Sequence, residues 1–136
     1  MDALIHAAYG LDMEQPQTTP TANPQPLVLD ARLVLDAIRK RSFATLATSS
    51  PEGWPHAAGV LYAASGENLY VSTMRGSRKA RNVIDNPKVA VTVPVRRSPV
   101  GPPSTIIFQS TARVLDLDDP GLQAAAATGE LKSVTS

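Results

Sequence analysis

The chain has 136 residues, 43% hydrophobic and 18% charged, with a formal net charge of +1. That is the profile of one globular domain and not of a polycation that coats nucleic acid. No cysteine and only two histidines, His6 and His56, exclude disulfide scaffolds, thiol catalysis, zinc–cysteine sites and multi-histidine metal clusters. No apolar run approaches the ~18–20 residues of a membrane span. Asp2 stands where a signal peptide carries lysine or arginine, so a cytoplasmic protein without membrane association is expected.

Residues 1–11 predict a short turn or helix, or no regular structure. Pro16, Pro20, Pro24 and Pro26 interrupt a stretch of Gln, Thr and Asn, and residues 1–27 read as a flexible Pro/Gln/Thr-rich segment ahead of a domain over 28–136. Asp30 is a candidate N-cap. Leu33, Val34, Ala37 and Ile38 fall at helical spacing, and Arg39, Lys40 and Arg41 suit the negative end of that helix.

β signals follow. Strands are predicted over 42–48, 56–63 and 69–73, separated by the turn clusters 49–53 and 65–68. Residues 78–86 change period, with Ala80, Val83 and Ile84 on one helical face, and Asn86-Pro87 ends the helix. Val89, Val91, Val93 and Val95 alternate along a further strand, and Pro94 predicts a bulge or unpaired edge near its end. After a Pro/Gly-rich loop, 105–115 alternates with Ile106, Phe108, Ser110, Ala112 and Val114 on one side. Asp118-Asp119-Pro120 then opens an alanine-rich helix. Five strands with short turns and few helices predict a mainly β (α+β) fold, a small antiparallel barrel with flanking helices.

Charge is concentrated. Seven of the 13 basic residues are Arg75, Arg78, Lys79, Arg81, Lys88, Arg96 and Arg97, with Asp85 the single acid among them. Arg78 and Lys79 open the predicted helix and Asp85 nears its end, each the wrong sign for its end of the helix dipole by about 0.3–1 kcal/mol. An anion at the N-terminus would resolve that conflict. Backbone N–H groups, the Ser77 hydroxyl and two cations would converge on one phosphate, with Gly76 permitting close approach. The competing reading is a solvated basic face with Ser77 as an ordinary N-cap. RNA binding would want aromatics among the basic residues for stacking, and residues 74–107 hold none, so no nucleic-acid partner is expected. His56 reads as structural, Asp116, Asp118 and Asp119 as a helix cap, and Trp54 as a turn filler or partner contact. An anion site without side-chain catalytic groups suits a protein whose phosphorylated cofactor carries the chemistry.

The succession of strand 69–73, Ser77-Arg78-Lys79-Ala80, Asn86-Pro87 and a valine-alternating strand resembles the pyridoxamine 5'-phosphate oxidase-like family of FMN-binding split β-barrels. So does Phe43-Ala44-Thr45-Leu46-Ala47-Thr48 followed by Pro51-Glu52-Gly53-Trp54-Pro55-His56. The resemblance spans about 30–119. It implies a homodimer with cofactors in clefts at the subunit interface, FMN or, as in a branch of small barrels, the deazaflavin coenzyme F420. Thr73, Ser77, Arg78 and Lys79 would hold the cofactor phosphate, and Gly59 and Val60 would lie against its ring. The activity implied is hydride transfer to or from a small organic substrate by a flavin- or deazaflavin-dependent oxidoreductase. The alternative is a non-catalytic flavin-, F420- or haem-binding protein. Three departures argue against pyridoxamine phosphate oxidation: Ala58 stands where the oxidase has a phosphate-reaching arginine, Ser104-Thr105 where it has Arg-Gln, and its C-terminal substrate-binding segment has no counterpart. Family members also close the barrel with a strand after the last helix. Residues 131–136 are too short for it, so an open barrel edge or a truncated chain is expected.

Overall fold

The computed structural model describes residues 3–8, 31–96 and 104–135. In chain order the elements are β1 (Ala3–Ala8), α1 (Ala31–Arg39), β2 (Phe43–Ser49), β3 (Pro55–Ser65), β4 (Asn68–Thr73), α2 (Arg78–Asp85), β5 (Lys88–Arg96), β6 (Ser104–Leu115), α3 (Pro120–Ala127) and α4 (Lys132–Thr135). Six antiparallel strands close a barrel in the order β1-β4-β3-β2-β5-β6. Among the described residues no helix is long and apolar enough to cross a membrane.

The barrel closes where the sequence predicted an open edge. Residues 3–8, expected as a turn, a helix or nothing regular, form β1. This strand pairs with β4 (Ile5 with Val71) and with β6 (Ile5 with Val114), so the strands number six and not five. Apart from the half-buried His6, its residues are apolar, because both faces are covered. Ile5 and Ala7 point into the barrel core, while Leu4 points outward under the C-terminal helices. Residues 131–135 supply no strand. Instead Leu131 and Val134, the latter on α4, join Leu4, Ala63, Tyr70, Leu115 and Leu122 in a second apolar cluster outside the barrel wall.

The main core fills the barrel with Ile5, Leu46, Tyr62, Leu69, Val71, Val89, Val91, Val93 and Phe108, each aliphatic or aromatic side chain contributing about 1.5–3 kcal/mol by burial. Strand alternation delivers this as expected: Val89, Val91 and Val93 are inward, and the register slips between Pro94 and Arg96, the irregularity Pro94 predicted. The α1 helix lays Val34 and Ile38 on the barrel. The buried Tyr62 hydroxyl donates to the Ile38 carbonyl at 2.6 Å, fixing the helix C-terminus to β3. The Arg41 guanidinium donates to the carbonyls of Ala37 (3.1 Å) and Val95. The predicted Asp30 cap, residues 9–27 of the Pro-rich segment, the 97–103 loop and the Arg96 side chain lie outside what the structure describes.

Helix α2 departs from its predicted face in one respect. Ala80 and Val83 are buried, but Ile84 is exposed and Asn82 takes its place inside. The Asn82 side-chain amide donates to the Thr48 hydroxyl at 3.0 Å, and both groups are buried. This bond ties α2 to β2, and the exposed faces of α2 are thereby held in a fixed position against the barrel.

Candidate functional site: the start of α2 and the outer sheet face

Strand β4 ends at Thr73, a four-residue loop turns the chain, and Ser77 caps α2. Ser77 makes the cap that the competing reading of the sequence described: its side chain accepts from the Ala80 N–H at 3.3 Å in extended backbone geometry. Ser77 also meets Thr73 across the loop, with the two hydroxyl oxygens 2.9 Å apart. Thr73 is buried and Ser77 half-buried. The N–H groups of Arg78 and Lys79 open the helix, where no intrahelical acceptor exists. Lys79 is half-buried and Arg78 exposed. No acid lies in the first turn and no base in the last. The helix thus begins with two hydroxyls, amide donors and two cations, and ends on Asp85.

Arg75 has a different role from its neighbours in the sequence. It forms an ion pair with Asp116, joining the loop before α2 to the loop after β6. Asp119 caps α3 by accepting from the Leu122 N–H at 3.0 Å, as predicted.

Gly59 and Val60 are separated by the pleat. Val60 is buried in the barrel core, which leaves only its backbone for any ligand on the outside. Gly59 is on the outer face, opposite Thr45. A Cβ placed on Gly59 would come within 3.0 Å of Phe43 Cζ, so the flat group that Gly59 admits in this chain is the Phe43 ring. Around it, Gly59, Thr45, Thr92 and Ile107 form a row across four strands, with Phe43 and Leu61 paired beside it. Phe43, Leu61 and Ile107 are 50%, 59% and 69% exposed, an uncovered apolar group on a sheet of small residues.

The two histidines lie apart. His6 on β1 packs against Tyr70 with ring centroids 5.1 Å apart. Burial pushes its imidazole below the ordinary value; a hydrogen bond with Asn68 and the charge of Asp119 oppose that shift, and Arg113 adds to it. His56 begins β3 beside α2, with its Nδ1 buried and without a hydrogen-bond partner.

The family model for pyridoxamine 5'-phosphate oxidase matches residues 32–133, three-quarters of the chain. The chain belongs to that family. Its members include oxidoreductases, and membership establishes the split-barrel fold here without establishing the oxidase reaction. No curated protein matches the chain. Among solved structures, this family member is similar to the haem storage protein HutZ from Vibrio cholerae (TM-score 0.61, 19% identity, 72% of this chain and 71% of that one). It is also similar to the conserved hypothetical protein Rv2991 from Mycobacterium tuberculosis (0.62, 23%, 74% and 61%). A haem-binding protein from Mycobacterium smegmatis is a third (0.61, 20%, 77% and 41%). At such identities the likeness is one of fold. The chain spans under two thirds of the last two of these proteins.

Sequence reasoning found the residues at the start of α2 because cap, charge and stop signals are local. It missed Asn82, whose buried amide reads as a solvent-side residue, and Phe43, whose relation to Gly59 is a diagonal contact between strands.

Proposed function

We propose that the protein binds a planar cofactor with an anionic tail, a flavin or deazaflavin, and holds its phosphate at the start of α2. The observation that carries this reading is the Thr73–Ser77 hydroxyl pair, 2.9 Å apart, set at a helix N-terminus that also bears Arg78 and Lys79. The donor set fits a phosphate. The Thr73 and Ser77 hydroxyls, which share one hydrogen bond between them and of which Thr73 also reaches the Met74 carbonyl, would turn their protons to its oxygens, two backbone N–H groups would point at it, and Lys79 would supply charge-assisted donors. FMN and coenzyme F420 both carry such a group; haem carries carboxylates.

A bound flavin or deazaflavin supplies hydride chemistry. The chain's own part would be to anchor the phosphate and exclude water from the ring. The apolar outer face of Phe43, Leu61 and Ile107, with Gly59 among them, supports a homodimer, because such a group is costly to leave in water and suits a second copy. Because Phe43 lies over Gly59, a cofactor ring held on this face would pack against Phe43, between subunits. Whether the bound cofactor acts on a small organic substrate or is only held follows from the reduced complex: oxidoreductase function requires an acceptor that reoxidises it. Haem is the second reading, favoured by the names of two fold neighbours.

The test is an absorbance titration of the full chain with FMN, coenzyme F420 and haem in turn. We expect saturable binding of FMN or F420 with a dissociation constant of about 10 μM or below. A haem-only Soret shift would replace the flavin reading with the second one. Binding of none of the three would overturn both.

A further inference from the structure

A cleft of ≈ 310 Å³ lies between the β2–β3 turn and α2; it shares Arg78 with the proposed phosphate site but is not lined by Thr73, Ser77 or Lys79. We propose that it is a second binding site, for a small aromatic monocarboxylate. One wall is Trp54, which is 75% exposed on a turn fixed through its backbone. Its backbone N–H donates to Ser50 Oγ at 3.0 Å, and its backbone carbonyl accepts from the Ser50 N–H at 2.9 Å. Gly53 completes the turn at φ +88, a conformation that a side-chain-bearing residue rarely adopts. The turn fixes where this large indole leaves the backbone, and its exposed flat face is available for stacking on an aromatic ligand.

The opposite wall is α2, fixed by the buried Asn82–Thr48 bond. It presents Arg78 and Arg81, three residues apart and so on one helix face. Among the described residues neither guanidinium is in an ion pair. A guanidinium takes a carboxylate through two parallel N–H donors, and Arg81 faces the cleft without belonging to the proposed phosphate site. His56 lines the floor with Nδ1 buried and unpartnered. The tautomer protonated on Nε2 avoids burying an unmatched N–H, which leaves Nε2–H as the donor this ring can offer a ligand.

Two acids set the charge limit. Glu52 and Asp85 line the same cleft and repel a second negative group, so a monoanion is favoured over a dianion. The volume is at the lower end of ligand pockets, roughly 300–1,000 Å³, which suits one or two rings and not a whole flavin. The proposal does not rest on cofactor binding and can fail separately from it.

Trp54 is the single tryptophan of the chain, so its fluorescence reports on this cleft alone. The experiment titrates benzoate into the full chain, exciting beyond the benzoate absorption. We expect a saturable change with a dissociation constant near or below about 1 mM, and binding of cyclohexanecarboxylate and of the dianion phthalate weaker by about fivefold or more. Arg81→Gln raises the benzoate constant about tenfold or more while leaving the FMN and F420 titrations within about twofold. A quench that never saturates, equal binding of the non-aromatic acid, or an Arg81→Gln variant that binds benzoate as the parent does would overturn the proposal.

Discussion

Lys79 tests the difference between an anion-binding cation and a solvated one. If it only decorates a helix, its removal changes little. If it completes a phosphate site, Lys79→Ala forfeits a hydrogen bond to a charged group, worth about 1.5–3 kcal/mol, so cofactor affinity falls about tenfold or more. The same change leaves the melting temperature within about 2 °C, because the residue is only half-buried and, among the described residues, makes no ion pair and joins neither apolar cluster. Cofactor titration and thermal melting of the one variant check both halves. His6 offers an independent test of the barrel seam. Burial against Tyr70 disfavours its charged form, so the unfolded chain binds a proton that the folded chain resists. Its contribution to stability is therefore complete above the ordinary histidine value of about 6.5 and is lost as pH falls below it. His6→Gln should reduce the drop in melting temperature between about pH 7 and pH 5.5; an unchanged drop would show that His6 titrates alike in both states.

At the scale of elements, β1 and α2 behave oppositely. The α2 helix is specified by adjacent residues: Ser77 caps it, Asn86-Pro87 ends it, and its dipole conflict is legible from charge alone. β1 carries no such local marks. Both of its faces are buried, so it shows no alternation, and its partners β4 and β6 are far along the chain. Its role became visible only once the barrel was assembled. Ile5 is almost fully buried between Val71 and Val114, and Ile5→Ala should destabilise the fold by about 2–5 kcal/mol, read as a lower denaturant midpoint. A loss under about 0.5 kcal/mol would mean that β1 does not close the barrel in solution. The cleft beside α2 was hidden for a similar reason. Trp54 and Arg81 meet only because the β2–β3 hairpin brings its tip to the helix, and the Asn82–Thr48 bond that fixes the approach joins two residues no spacing rule connects.

For the whole molecule, one covered surface and one uncovered surface divide the barrel. The wall containing β1 and β4 is sealed by α3 and α4 through Leu122, Leu131 and Val134. The wall of β2, β3, β5 and β6 carries Phe43, Leu61 and Ile107 into solvent. If that wall is where a second copy docks, Leu61→Glu puts a charge into the interface and should convert a species of twice the chain mass into monomer by light scattering; a parent that is already monomeric would refute the dimer. Composition and alternation made the antiparallel barrel legible, and the Ser77-Arg78-Lys79 run made the helix start, with its cap and two cations, legible. Closure of the barrel and the exposed face depended on pairings that no local pattern encodes.

The central claim is that the start of α2 binds a phosphate. Comparing FMN with riboflavin, which lacks only that phosphate, isolates its contribution. We expect FMN to bind about tenfold or more tightly than riboflavin, with the gap largely abolished in Lys79→Ala. Equal affinity for the two, with no binding of coenzyme F420, would contradict the account.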